Sequence, residues 1–134
     1  MMRMTLESTG GVSCRVVLGR HELLFDQPRE FGGGDIGPSP VEVLASCVGA
    51  CAHYYAAVAL KKRGFATDGL SVEVEAEKLK EPRAHVVVRR LVVHAPTGTP
   101  PELVPVMERS VRLCPVVGTL ELANEVPLEI AVRT

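Results

Sequence analysis

The stretch from Val41 to Leu60, VEVLASCVGACAHYYAAVAL, constrains this chain more than any other, because it is apolar around almost its whole circumference. A helix of that kind has no wet face and must be covered on most sides. Its ends are marked. Ser39 can serve as N-cap, with Pro40 at the first helical position and Glu42 at the third, the S-x-x-E pattern in which side chain and backbone cap each other. Lys61, Lys62 and Arg63 complement the negative end of the dipole, and Gly64 can take the left-handed conformation that closes a helix. The spacing predicts roughly 24 helical residues, about 36 Å. Such a length would also cross a bilayer, but Glu42 and His53 fall inside it, and Ala, Gly, Ser and Cys add little transfer energy. A central helix wrapped by sheet, from one subunit or from two, explains the pattern better.

The remaining sequence supports a single domain over residues 1–134. With 15 basic and 16 acidic side chains there is no bulk positive field to bind nucleic acid or an anionic membrane. Three Phe, two Tyr and no Trp are too few for a base-stacking surface, so neither nucleic acid nor membrane is expected as a partner. Residues Met1 to Glu7 lack an apolar signal-peptide core, which sets the expectation of a cytoplasmic protein whose four cysteines are thiols rather than structural disulfides.

Strands are expected at Met2–Ser8, Cys14–Leu18 and His21–Phe25, the last two around a Gly19-Arg20 turn. Two Pro and four Gly then forbid regular structure from Asp26 to Ser39. After the long helix, Leu70–Leu79 alternates apolar and charged residues, and Ala84–Ala95 returns as a valine-rich strand to make a hairpin. Thr99-Pro-Pro-Glu102 repeats the capping pattern and opens a helix to about Leu113, with Pro105 bending or delaying its first turns. A helical turn near Gly118–Ala123 and a last strand, Val126–Val132, complete a β-β-β-α-β-β-α-β order. The expected class is α+β with a mostly antiparallel sheet. Dropping the first strand leaves the ferredoxin-like order as a rival, opposed by the all-round apolar helix.

Among side chains able to do chemistry, Cys47 and Cys51 stand one helical turn apart, too nearly parallel for an unstrained disulfide. Cys-x3-Cys with a nearby His53 is a poor zinc pattern, so neither metal nor cofactor is expected. Cys14 and Cys47 read as small core hydrophobes. Cys51 follows Gly49-Ala50, where small residues allow close approach, and Cys114 lies at a helix end before Pro115. His53 is two residues past Cys51 and points away from it. Arg89-Arg90 reads as a solvent-face pair that also protects the valine-rich strand from aggregation.

Four segments taken in order resemble the OsmC/Ohr family (osmotically inducible protein C and organic hydroperoxide resistance protein): HELLFD from His21 to Asp26, GGGDIGPSPVEVL from Gly32 to Leu44, CVGAC from Cys47 to Cys51, and LCPVVGTL from Leu113 to Leu120. The resemblance implies an OsmC-like fold, with antiparallel sheets around a long central helix, in an intertwined homodimer whose active sites lie at the subunit interface. It implies a thiol peroxidase acting on organic hydroperoxides, with Cys51 the peroxidatic cysteine, Cys114 the resolving one and an external dithiol as reductant. In the family a thiolate of this kind is kept ionised by an arginine from the segment before the helix, itself held by a glutamate near the helix start. Arg20 and Arg29 lie in that region, out of register with the family motif. Glu42 stands nine residues before Cys51, whereas the peroxidase branches place their acidic residue ten before, a position held here by Val41. Glu42 is therefore a helix cap first and a catalytic candidate second. The alternative function is a family member that uses the same fold to bind an apolar or acyl ligand without turnover.

Overall fold

The structure, a computed structural model, describes residues 1–122 and 125–132. Its elements are β1 (Leu6–Gly10), β2 (Ser13–Leu18), β3 (His21–Phe25), α1 (Pro40–Lys61), β4 (Ser71–Leu79), β5 (His85–His94), α2 (Val104–Arg112) and α3 (Pro115–Glu121), with 3-10 turns at Arg29–Phe31 and Pro101–Leu103. They fall into two compact units, residues 1–47 with 76–89, and residues 48–75 with 90 onward. The antiparallel strands and long central helix match the expected class. The sheets β1-β2-β3 and β4-β5 are separate, whereas the ferredoxin-like rival requires one.

In the first unit, β2 is the centre of an antiparallel meander, with Val16 opposite both Leu6 and Leu23 and Cys14 opposite Ser8 and Phe25. Val16 is buried and the outer strands are largely exposed. The capping pattern at the start of α1 forms as expected. Glu42 Oε1 accepts from the Ser39 N–H (3.2 Å) and from its Oγ–H (2.8 Å), while the Glu42 N–H donates to Ser39 Oγ (3.3 Å). Ser39→Ala removes the two bonds made by the hydroxyl, leaves the backbone N–H bond to Glu42 in place, and is expected to cost about 1 kcal/mol. A urea-unfolding midpoint unchanged by Ser39→Ala would show the cap to be idle.

In the second unit α1 ends as its sequence requires. Gly64 has φ +78°, its N–H donates to the Lys61 carbonyl, and the Phe65 N–H reaches back to the Leu60 carbonyl, the paired bonds of a Schellman motif. The buried positions Val48, Ala52, Ala56, Ala59 and Leu60 form one stripe at helical spacing. Ala56, Ala59 and Leu60 pack with Met107 of α2, and Leu70, Val93 and Val111 close around them. Ser110 Oγ–H of α2 donates to the Tyr55 carbonyl at 2.8 Å, a polar tie between the two helices.

The expected burial of α1 is met only in part within one chain, since 33% of its most apolar window is buried and Val41, Leu44 and Tyr54 are exposed. Two local expectations are corrected. Thr99 does not cap: its Oγ–H bonds the Pro96 carbonyl, the next turn is 3-10, and α2 begins only at Val104. Pro100 and Pro101 hold the preceding backbone extended and Pro105 lacks an N–H, so the first α-helical turn is displaced. The strand expected at Val126–Val132 does not form: among the described residues none pairs with this stretch, and all of it is exposed. The helical turn expected near Gly118–Ala123 is α3, which starts earlier, at Pro115, and Ala123 lies outside the described residues.

β4 carries Val72 and Val74 half-buried on one face and Glu73, Glu75 and Glu77 exposed on the other. Glu77 bonds Arg89, Glu75 lies 3.6 Å from Arg90 and Glu73 lies 3.2 Å from His94, so Arg89 and Arg90 are indeed on the wet face. Such exposed pairs contribute little stability each, but they keep charge along a valine-rich ribbon.

Candidate active site

The two cysteines singled out by sequence lie in the same unit. Cys51 is half-buried on α1, two residues, about half a turn, past the point where the helix presses on β4. That approach depends on Gly49: a Cβ there would stand 2.8 Å from Val74 Cγ2, closer than packed carbons tolerate. Cys114 is buried, 1% exposed, at the joint between α2 and α3. Its N–H donates to the Val111 carbonyl (2.9 Å) and its own carbonyl accepts from the Gly118 N–H (3.0 Å). Pro115 then occupies the first position of α3, where a missing N–H costs nothing. Cys47 is exposed rather than a core hydrophobe, which corrects that expectation, and Cys14 is half-buried on β2.

The other candidates belong to the first unit. Arg20 is exposed in the turn after Gly19, Arg29 is exposed on the 3-10 turn, and Glu42 is in the first turn of α1. Among the described residues neither guanidinium is engaged in an ion pair. Glu42, by contrast, is committed to Ser39, whose hydroxyl and then N–H hold its carboxyl below the ordinary range. His53 is exposed. Among the described residues no group of three or more His, Cys, Asp or Glu could hold a metal ion.

In the sequence Asp26 stands at the end of the HELLFD segment and the start of the loop, with no chemical role assigned to it. Its side chain organises the glycine segment that leads into α1. Oδ2 accepts from the N–H groups of Gly34 (3.0 Å) and Ile36 (3.2 Å), and the Asp26 N–H donates to the Pro38 carbonyl (3.1 Å), next to the cap Ser39. Gly33 lies so close to the Gln27 carbonyl that any side chain there would collide with it. The residue is 2% exposed, and Oδ1 is buried without a well-formed hydrogen bond. A run of three glycines supplies backbone N–H groups with no side chains to satisfy them, and that was the available signal.

The Gln27 N–H alongside, then those of Ile36 and Gly34, hold the Asp26 carboxyl below its ordinary value against the opposing effect of burial. A depressed folded-state value means that the stabilisation is present above the unfolded carboxyl's titration and is lost as pH falls through the lower, folded one. Asp26→Asn is therefore expected to be less stable than the wild type at pH 7, with the difference shrinking as pH drops below about 4. Urea midpoints that stay equally far apart from neutral to strongly acid pH would contradict this.

Comparison with known proteins gives a consistent result. Among curated proteins none matches the sequence. Solved structures do match the fold: a Psychrobacter arcticus protein named for osmotic stress induction and detoxification response has a TM-score of 0.77 at 16% identity, covering 89% of this chain and 88% of that one. An organic hydroperoxide resistance protein OsmC from Legionella pneumophila has a TM-score of 0.62 at 19% identity and 90% coverage of both chains. An organic hydroperoxide resistance protein from Elizabethkingia anophelis has a TM-score of 0.63 at 21% identity, covering 89% and 88%. These likenesses establish the fold, and the sequence itself matches the family described as OsmC-like protein over residues 32–131, about three-quarters of the length. That span holds the glycine loop, the capped helix with Cys51 and the Cys114-Pro115 joint, and by it the chain belongs to the OsmC-like family.

Proposed function

We propose that this protein is a cytoplasmic, homodimeric thiol peroxidase that reduces organic hydroperoxides with Cys51 and Cys114. The observation that carries this reading is the placement of a half-buried Cys51 and a buried Cys114 in one compact unit of an OsmC-like fold. Structural relatives named for organic hydroperoxide resistance support the substrate class. The Cys51 thiolate attacks the terminal oxygen of ROOH; the O–O bond breaks, RO⁻ leaves and takes a proton to become the alcohol, and sulfur is oxidised to the sulfenic acid. The Cys114 thiol then displaces the hydroxyl, forming a disulfide and releasing water. An external dithiol reduces that disulfide by exchange through a mixed disulfide.

A cation near Cys51 is required to keep the thiolate populated in a partly apolar setting. Arg20 and Arg29 are the candidates, both unspent in ion pairs among the described residues. The homodimer is supported by α1, whose sequence is apolar on all sides while one chain covers a single stripe of it. The register of Glu42, one residue from the family's acidic position, favours the second reading, a binder of apolar or acyl ligands without turnover. The decisive assay mixes reduced protein with cumene hydroperoxide and excess dithiol. Peroxide loss that depends on Cys51 is expected, and its absence leaves the binder.

A further inference from the structure

Both cysteines of the proposed reaction stand one helical turn from the same hydrogen bond. Ser110 of α2 donates its Oγ–H to the Tyr55 carbonyl of α1 at 2.8 Å. Tyr55 comes four residues after Cys51, and Ser110 comes four residues before Cys114. The contacts on one side of this bond show which way the helices run. Ala59 and Leu60, which follow Tyr55, pack with Met107, which precedes Ser110, so α1 and α2 run in opposite senses across the contact. Carried one turn the other way, the same alignment brings the chain at Cys114 toward that at Cys51. The link from Ser110 to Cys114 is stiff, because the Leu113 N–H donates to the Ser110 carbonyl (3.1 Å) and the Cys114 N–H to the Val111 carbonyl (2.9 Å).

Apolar contact alone holds this register loosely. Ala56 and Ala59 give little relief along α1, and Met107 is unbranched and flexible, able to fill a gap at more than one height. A hydroxyl on a single carbonyl is directional and marks one height. The height matters because a disulfide needs its Cα atoms about 4.4–6.8 Å apart, while a slide of one residue moves a helix by about 1.5 Å. That slide uses up more than half of the permitted range.

We propose that Ser110 is a positioning residue for the resolving step: its bond to the Tyr55 carbonyl sets α2 on α1 at the height where the Cys114 sulfur meets the sulfenic acid of Cys51. The inference rests on the peroxidase reading and adds to it the residue that aligns the two thiols. In this step the Cys114 sulfur attacks Cys51 Sγ, the S–S bond forms as the S–OH bond breaks, and the hydroxide leaves with the thiol proton as water. Ser110 acts through the helix it anchors, so the earlier attack of Cys51 on peroxide does not depend on it.

The test uses the full chain carrying Cys47→Ser, so that a disulfide between the α1 peptide and the Cys114 peptide starts from Cys51. Ser110→Ala removes the hydroxyl, and Ser110→Val and Ser110→Thr differ from each other in having a methyl or a hydroxyl at the same place. With one equivalent of cumene hydroperoxide, peroxide loss is expected at the parent rate in all three. Disulfide formation slows at least about tenfold in the Ala and Val variants, the scale on which misplaced reacting groups lose rate. Dimedone then traps the waiting sulfenic acid, and Ser110→Thr restores the parent rate. A second measurement needs no peroxide: the dithiol is equilibrated with glutathione disulfide, which takes its two electrons and two protons and becomes two glutathiones. The equilibrium constant for the Cys51–Cys114 disulfide should fall at least about tenfold in the same two variants.

Ala and Val variants that form the disulfide as the parent does, by either route, overturn the proposal. So does a Thr variant that behaves like Val, or peroxide loss that falls in step with disulfide formation, since both mark a merely structural hydroxyl. A parent protein that forms no Cys51–Cys114 disulfide by either route overturns it as well. A parent that forms this disulfide with glutathione, in a manner dependent on Ser110, but consumes no peroxide sinks the peroxidase reading and leaves the alignment standing.

Discussion

Cys51→Ser is expected to abolish dithiol-driven consumption of cumene hydroperoxide, with a fall of at least about ten thousandfold, the scale seen when a covalent nucleophile is removed. The serine hydroxyl stays protonated at neutral pH and has no counterpart to the sulfenic acid, so the first step has no substitute. Cys114→Ser separates the second step from the first. One equivalent of peroxide is still consumed at the wild-type rate, while sulfenic acid accumulates and is trapped by dimedone. Steady-state turnover falls because the outside thiol must then reach Cys51 directly. Full turnover in Cys51→Ser would remove this cysteine from the chemistry. Full turnover in Cys114→Ser, with no trappable sulfenic acid, would remove the resolving role.

Leu60→Ala is expected to destabilise the chain by about 2–5 kcal/mol, a loss set by transfer free energy plus an unfilled cavity. Leu60 is completely buried and packs with Ala56, Ala59 and Met107. Against a total of about 5–15 kcal/mol for a domain this is a large share, and thermal denaturation should move down by roughly 10 °C or more. A shift of only a degree or two would mean that α2 collapses onto α1 without loss.

Local chemistry was legible where neighbours in sequence are also neighbours in space. Ser39 with Glu42, Gly64 at the helix end, His21–Phe25 as a strand and the two-faced β4 all come from contacts within a few residues. Prolines misled where two effects competed, as at Thr99, whose capping motif yields to Pro100 and Pro101. The Asp26 clamp was hidden because it joins a carboxylate to N–H groups eight and ten residues away, which no periodicity marks. The exposure of α1 and of residues 126–132 was hidden for a different reason: apolar periodicity says that a face will be covered and is silent on which chain covers it. For the site, cysteine identities and surroundings could be read, but out-of-register Arg20 and Arg29 could not be assigned by spacing alone.

The near-complete enclosure of Cys114 between two helices separates the thiols of this chain by timing as well as by place. Cys47 meets any alkylating reagent at once, whereas Cys114 reacts only as fast as the α2-α3 joint breathes. The slower sulfur is therefore a native gauge of how often that corner of the protein opens, readable without adding any label to the fold.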